Sequence, residues 1–176
     1  VARSGATVGL CPLTEANLGD GLFNAVEYLA HGGHIGIGSD SNVSTNLWAE
    51  LQMLEYSQRL LRRQRNVLVS EQFPNVGNAL QTMVAAGGAR ASARKSGQIA
   101  PGFSADFVEL AGEAAGQAGR LSADTFLDHW IFAREHRAVG DVYVGGRKVL
   151  DGGHHADEER IVAKFNGAMA KLSQDI

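Results

Sequence analysis

Asp40 is the residue whose type and position best suit catalytic chemistry. It follows the segment His34-Ile-Gly-Ile-Gly-Ser, which comes directly after the glycine pair Gly32-Gly33. Asp40 itself lies in an acidic turn that is rich in hydroxyl groups. This pattern predicts a short buried strand. An aspartate at its end would lie at the carboxyl edge of a parallel sheet, where α/β folds place their chemistry. The alternative is that Asp40 only caps the next helix or a turn.

Two strands and a helix must position Asp40. Residues 6–12 have the pattern of a buried strand, and Leu13 to Gly21 that of a polar, glycine-punctuated loop. Apolar residues at helical spacing from Leu22 to Ala30, followed by a pair of glycines, predict a helix and its end. With the strand that ends at Asp40, these segments form a βαβ unit, which favours a parallel pair of strands.

The apolar spacing predicts two longer helices after Asp40. The first begins near Asn46, and the second follows a loop at Pro74. One face of the first helix carries Leu47, Leu51, Leu54 and Leu61, and the buried side of the second carries Leu80, Met83, Val84 and Gly87.

The pattern changes near Lys95. A short strand is predicted at 107–110, a helix at 123–133, and a hairpin whose strands flank Gly145-Gly146. A final amphipathic helix begins near Asp157. Its apolar stripe consists of Ile161, Phe165, Met169 and Leu172.

Composition excludes several classes of function. The chain has 176 residues, enough for one solid core. Sixteen Lys and Arg residues against 19 Asp and Glu residues imply neither a nucleic acid nor a membrane partner. A single cysteine, Cys11, rules out an internal disulfide and fits a reducing compartment, so a cytoplasmic location is expected. No apolar run is long enough to span a bilayer.

Several stretches together resemble one enzyme family. They are Gly9-Leu-Cys-Pro-Leu-Thr-Glu-Ala-Asn-Leu-Gly-Asp-Gly, Gly36-Ile-Gly-Ser-Asp-Ser-Asn-Val, Leu54-Glu-Tyr-Ser-Gln-Arg-Leu, Ala100-Pro-Gly-Phe-Ser-Ala-Asp-Phe and Val139-Gly-Asp-Val-Tyr-Val-Gly-Gly-Arg-Lys-Val. They resemble the carboxyl-terminal part of the formimidoylglutamate deiminases, which belong to the amidohydrolase superfamily of metal-dependent deaminases. The Gly-Ser-Asp match indicates only the superfamily, whereas the Thr-Glu-Ala-Asn-Leu-Gly-Asp-Gly segment narrows it to this deaminase.

The resemblance implies an α/β fold with a particular architecture. Residues 1–94 would form the last two βα units, strands seven and eight, of an amidohydrolase-type (β/α)8 TIM barrel. Residues 95–156 would form part of a small accessory β-sandwich, and residues 157–176 a C-terminal helix. The chain would then be a piece of a longer protein.

The resemblance also implies a site. Asp40 would be a ligand of a catalytic Zn²⁺ and would move protons while water attacks N-formimino-L-glutamate, giving N-formyl-L-glutamate and ammonia in histidine degradation. Zinc accepts carboxylate ligands and lowers the pKa of its bound water to about 7. Glu15, Asn17 and Asp20 would lie on a loop above the active face, where either substrate-facing or turn and capping roles are open.

The chain lacks other parts of the family pattern. The His-x-His pair of the first strand, the ligands of the fifth and sixth strands, and the Arg and Tyr groups that hold glutamate are missing. Its histidines, His31, His34, His129, His136, His154 and His155, do not fall in the ligand motifs. The chain alone is therefore expected to be inactive. The unpaired edges of two parallel strands also predict that the chain self-associates as a homo-oligomer or is ordered as part of a larger molecule.

Other interpretations are weaker. Ser39 and Ser41 lack the Gly-x-Ser-x-Gly elbow of a serine hydrolase, and Gly36-x-Gly38 lacks the third glycine of a dinucleotide loop. Cys11 is expected to be a small buried residue, and His154-His155 an exposed loop pair. The remaining alternatives are a non-catalytic α/β binding or assembly module and another aminohydrolase of the same superfamily.

Overall fold

The chain combines a helix-rich first part with a small sheet and a final helix. The structure, a computed structural model, describes residues 1–110, 122–133 and 139–173. Its strands are β1 (Thr7–Leu10), β2 (His34–Ile37), β3 (Phe107–Leu110), β4 (Val139–Val144), β5 (Arg147–Asp151) and β6 (His154–His155). Its helices are α1 (Pro12–Leu18), α2 (Ala25–Ala30), α3 (Leu47–Arg62), α4 (Val76–Ala91), α5 (Ala123–Phe132) and α6 (Glu158–Leu172).

Strands β1 and β2 form a parallel pair, as the βαβ pattern predicted. Thr7 lies opposite His34, and Leu10 lies opposite Ile37. Within the described ranges this sheet has only these two strands, so each keeps one edge without a neighbour. Unpaired strand edges recruit further strands. The homo-oligomer inferred from them stays a prediction.

Helix α4 packs directly on β2. A Cβ atom at Gly87 would lie 1.9 Å from the carbonyl oxygen of Ile35 and 3.0 Å from the nitrogen of Gly36. Real Cβ atoms do not approach backbone atoms so closely. The helix and the strand can therefore pack at this distance only because residue 87 has no side chain.

One hydrophobic core joins the helices to the parallel pair. Its buried members are Leu10, Ala25, Ile35, Leu51, Leu54, Leu68, Val76, Leu80, Val84 and Ile131. Ile131 lies on α5, so this helix packs against residues 1–94, the part predicted to belong to the barrel. In the sequence, however, α5 falls within the range 95–156 predicted for the accessory domain. The domain boundaries themselves stay a prediction.

Most of helix α1 lies within the segment from Leu13 to Gly21, which was predicted to be a loop, so that prediction was wrong. Pro12 occupies the first helical position, where its fixed φ and missing N–H suit the turn. The helix ends at Gly19, whose φ of 74° lies in the left-handed region that favours glycine. A helix of this length is not stable from its own sequence alone.

Asparagine side chains set the starts of two other helices. Asn24 caps α2, which therefore begins later than the predicted start at Leu22. Asn46 caps α3, because its Oδ1 accepts the N–H groups of Trp48 at 3.0 Å and Ala49 at 3.2 Å. Helix α3 thus begins where the apolar spacing predicted it.

The second sheet is antiparallel, with its strands in the order β3-β4-β5-β6. The turn at Gly145-Gly146 joins β4 to β5, which confirms the predicted hairpin. Phe107 of β3 stacks on Tyr143 of β4 with ring centroids 4.4 Å apart. His154 and His155 were predicted to be an exposed loop pair. Their side chains are exposed, but the two residues form β6 and pair with β5, so the loop prediction was wrong.

Asp106 stabilises the β4–β5 turn. Its Oδ1 accepts the N–H of Gly145 at 2.6 Å. This bond, with a smaller contribution from the side chain of Ser104, lowers the pKa of the Asp106 carboxyl below its ordinary value. A lowered folded-state pKa means that the stabilisation is present above the unfolded pKa, about 3.9, and is lost as pH falls through the folded pKa.

We therefore expect Asp106→Asn to lower the thermal unfolding temperature at neutral pH. The difference from wild type should disappear at a pH below the folded-state pKa of Asp106. Differential scanning fluorimetry between pH 7 and pH 2.5 measures both, with Glu109→Gln on the neighbouring strand as the exposed-acid control. A difference in unfolding temperature that stays constant over this pH range would show that the ionised carboxylate of Asp106 does not stabilise the turn.

Helix α6 begins next to Asp157, as predicted, and leaves its apolar stripe uncovered. Ile161 is 51% exposed, Phe165 62% and Met169 44%. Every residue of this helix is exposed to solvent within the described part of the chain. No described helix is both long and apolar enough to cross a membrane.

Candidate active site

The carboxyl ends of β1 and β2 meet at one edge of the parallel pair. The N–H of Gly38 donates to the carbonyl oxygen of Leu10 at 3.0 Å, just after the last paired residues. Beyond this bond, the chain after β1 turns into helix α1, and the chain after β2 enters the turn that holds Asp40. We call this region the carboxyl edge. It brings together two segments that are far apart in the sequence.

Asp40 lies on the exposed side of this edge. Its backbone φ is 49°, a left-handed conformation that few residues other than glycine adopt and that Asp and Asn tolerate best. Among the described residues, its carboxylate has no hydrogen bond or ion pair. An exposed carboxylate without a partner is available to bind a ligand.

The capping alternative for Asp40 is wrong. Helix α3 takes its cap from Asn46, not from Asp40. The turn that contains Asp40 is closed by backbone atoms, because the N–H of Asn42 donates to the carbonyl oxygen of Ser39 at 3.1 Å. Asp40 thus lies in a turn without its side chain stabilising that turn. The metal-binding role implied by the resemblance stays a prediction.

Helix α1 is tied to the Asp40 turn by Thr14. The Thr14 hydroxyl donates to the carbonyl oxygen of Ser39 at 2.8 Å. Thr14 is only 4% exposed, so this bond is shielded from solvent. The contact fixes the helix after β1 against the turn after β2. The sequence patterns did not single out Thr14.

Glu15, Asn17 and Asp20 were predicted to lie on a loop above the active face. The structure places them in different settings. Glu15 lies on α1, and its Oε1 accepts the N–H of Cys11 at 2.7 Å, which is a capping role. Asn17 lies on α1 and Asp20 follows the helix, and both are exposed. A substrate-facing role for Asn17 and Asp20 stays a prediction.

Glu50 is a further carboxylate at this edge, and the sequence patterns missed it. It lies on α3, is 1% exposed, and its Oε2 accepts the N–H of Leu13 at 2.8 Å. Its Oε1 is buried and has no hydrogen-bond partner among the described residues. Burial raises the pKa of Glu50, and the neighbouring Glu15 raises it further, while the Leu13 N–H lowers it. The spacing of Glu50 from Leu47 and Leu54 on the apolar face of α3 was the signal available.

Cys11 lies at the same edge and is half-buried rather than fully buried as expected. Burial raises the pKa of its thiol, and the negative charges of Asp40, Glu50 and Glu15 raise it further. The thiol therefore stays protonated at neutral pH. Because the thiolate is the nucleophilic form, Cys11 has no support as a nucleophile.

The described histidines do not form a metal-binding group with Asp40. His34 begins β2, at the opposite end of the strand from Asp40. His31 Nδ1 contacts the carbonyl oxygen of Glu27, and His154 contacts Glu158. His136 lies outside the described residues. Across the described ranges, no three His, Cys, Asp or Glu side chains are grouped so that they could hold a metal ion.

A separate apolar groove of about 520 Å³ lies between α2, the segment 67–73 and α4. Its lining includes Val26, Leu29, Leu68, Phe73 and Met83. No residue of the lining carries an ionisable side chain. The lining of the groove therefore offers no ionisable acid, base or metal ligand.

Residues 1–149 match the model of the amidohydrolase family. Because this match covers most of the chain, the chain belongs to the amidohydrolase family. Its α/β fold is that of the carboxyl-terminal βα units of an amidohydrolase-type TIM barrel followed by a small sheet and a helix, as predicted. The relatives include enzymes named as deiminases and deaminases, which are hydrolases that act on carbon–nitrogen bonds.

Among the relatives, formimidoylglutamate deiminase from Pseudomonas aeruginosa is 46% identical over 172 residues, which covers 98% of this chain and 38% of the relative. The crystal structure of an amidohydrolase from Brucella melitensis is 46% identical with a TM-score of 0.86, and covers 97% of this chain and 37% of that one. Atrazine chlorohydrolase from Arthrobacter aurescens, solved in complex with zinc, is 25% identical with a TM-score of 0.75, over 94% of this chain and 36% of that one. The chain thus spans well under half the length of these proteins.

Proposed function

We propose that this chain is the carboxyl-terminal part of a zinc-dependent enzyme that hydrolyses N-formimino-L-glutamate to N-formyl-L-glutamate and ammonia, a step of histidine degradation. The observation that carries the proposal is the 46% identity to the Pseudomonas formimidoylglutamate deiminase over 98% of the chain. We call the protein in which this chain is joined to the other six strands of the barrel the complete enzyme.

Asp40 is the described residue that fits a zinc ion. Its carboxylate is free of other partners at the carboxyl edge, and carboxylate oxygens bind zinc at about 2.0–2.2 Å. Catalytic zinc sites generally use three protein ligands. Because the described residues contain no such group, the other ligands would come from other strands of the barrel. We therefore expect the chain alone to be inactive.

In the proposed reaction Asp40 would also transfer protons. Zinc, when bound, would supply a water molecule whose pKa is lowered to about 7. Hydrolysis forms a bond between the water oxygen and the formimino carbon and breaks the bond from that carbon to the departing nitrogen. Both hydrogens of the water end on the nitrogen, because the imino NH must gain two protons to leave as ammonia. The Oδ atoms of Asp40 would carry first the proton released when the water attacks and then the proton of the hydroxyl group formed on the carbon.

We also propose the cellular location, the oligomeric state and the type of partner. We infer a cytoplasmic protein that acts on a small molecule and not on nucleic acid or membranes, as the single cysteine and the nearly balanced charge support. We infer a homo-oligomer for the chain alone, from the free edges of β1 and β2. In the complete enzyme these edges would pair with other strands of the barrel.

Ammonia release from the complete enzyme tests the substrate. We expect turnover of N-formimino-L-glutamate, with N-formyl-L-glutamate identified by mass spectrometry. N-formiminoglycine has the same formimino group without the side-chain carboxylate, and we expect much slower turnover of it. Turnover of an aminopurine nucleoside without turnover of N-formimino-L-glutamate would instead favour another aminohydrolase.

A further inference from the structure

We propose that Thr14 is a positioning residue whose hydroxyl group fixes the orientation of the Asp40 carboxylate. The inference rests on the proposed function, since it gives Asp40 the role of metal ligand. It concerns a contact between two segments 25 residues apart, helix α1 and the turn after β2.

The geometry of one peptide unit supports the inference. The carbonyl oxygen of Ser39 belongs to the planar peptide group that joins Ser39 to Asp40. Thr14 Oγ1 donates to this oxygen at 2.8 Å, and the N–H of Asn42 donates to it at 3.1 Å. Holding the oxygen restricts rotation of this peptide plane, and such a rotation would change the ψ of Ser39 and the φ of Asp40 together. That φ is 49°, a conformation that needs support from its surroundings.

The helix that carries Thr14 is itself held in place. Glu50 accepts the N–H of Leu13, the residue before Thr14, at 2.8 Å, and Glu15 accepts the N–H of Cys11 at 2.7 Å. Both Glu50 and Thr14 are nearly inaccessible to solvent. Thr14 therefore acts from a fixed helix, so its hydroxyl can impose a position on the turn instead of following it.

A mutation at Thr14 can remove the hydroxyl and leave the packing. Thr14→Val keeps the branched shape and loses the donor, whereas Thr14→Ser keeps the donor and loses the methyl group. The Ser39 oxygen retains the N–H of Asn42 in both variants, so it is not left without a donor. We therefore expect both variants of the complete enzyme to fold, which thermal unfolding checks.

Zinc affinity and steady-state kinetics of the complete enzyme test the proposal. Groups that orient a metal ligand contribute about 10- to 100-fold in affinity or activity. In competition with a chelator, we expect Thr14→Val to bind zinc about 10- to 100-fold more weakly, with a lower kcat and an unchanged KM. We expect Thr14→Ser to retain the wild-type values.

Two results would overturn the proposal. One is wild-type zinc affinity and kcat in Thr14→Val. The other is an equal loss in Thr14→Ser and Thr14→Val, because the hydroxyl would then not be the active feature. If the wild-type enzyme binds zinc but does not hydrolyse N-formimino-L-glutamate, the substrate assignment fails. The chelator competition still decides the role of Thr14.

Discussion

Asp40→Asn should abolish turnover by the complete enzyme and remove its zinc. We expect kcat/KM to fall at least about 10³-fold, equivalent to about 4 kcal/mol of transition-state stabilisation. The neutral amide is a poor zinc ligand and cannot carry the proton that the proposed reaction needs. Asparagine tolerates the left-handed backbone at φ 49° as well as aspartate does, so the fold should not change. Metal analysis and ammonia release measure the two effects together.

The control for Asp40→Asn is Glu71→Gln, which removes one exposed acid from a loop away from the carboxyl edge. We expect this variant to keep its zinc and its turnover. Wild-type turnover in Asp40→Asn would remove Asp40 from the chemistry. Retained zinc with lost turnover would separate the proton-transfer role from the ligand role.

Gly87→Ala should destabilise the enzyme severely. The added Cβ atom would lie 1.9 Å from the carbonyl oxygen of Ile35, so α4 would have to move away from β2. Overpacking against side chains usually costs 1–3 kcal/mol, and here the obstacle is backbone that cannot rotate away. We expect a loss of at least about 3 kcal/mol, measured as a lower urea midpoint of the complete enzyme.

Gly88→Ala is the matched control on the same helix. A Cβ atom at Gly88 meets no other atom within 4 Å. Alanine is the better helix former by about 1 kcal/mol, so we expect unchanged or slightly raised stability. Equal urea midpoints for Gly87→Ala and Gly88→Ala would show that α4 does not rest on β2 as described.

Local patterns predicted the elements whose stability depends on nearby sequence. The parallel strands, the helix capped by Asn46 and the Gly145-Gly146 hairpin were all predicted in this way. Each of these elements has a local feature in the sequence that predicts it, either a regular spacing of apolar residues or a dipeptide typical of a turn. Asp40 stood out because it follows a strand with a clear beginning and end.

Helix α1 was missed because long-range contacts stabilise it. The Glu50 carboxylate that accepts the Leu13 N–H lies 37 residues away in sequence. The Thr14 hydroxyl bonds to Ser39, 25 residues away. Nothing in the local pattern of small and polar residues signals either partner, so the segment resembled a loop.

The acid that accepts a hydrogen bond from the first turn of helix α4 could not be predicted from the local sequence either. Asp128 on α5 accepts the N–H of Gly77 at 2.6 Å, across 51 residues of sequence. Such a contact becomes visible only when both helices are placed in space. The buried acid Glu50 and the positioning contact of Thr14 belong to the same class, and for that reason the structure extended the site beyond Asp40.

The position of zinc in crystals of the complete enzyme tests the proposed metal role of Asp40 most directly. Anomalous scattering at the zinc edge locates the ion without assuming its ligands. We expect a peak at about 2.0–2.2 Å from a carboxylate oxygen of Asp40, at the carboxyl edge of β2. A zinc ion bound elsewhere, with Asp40 out of reach, would contradict the proposal.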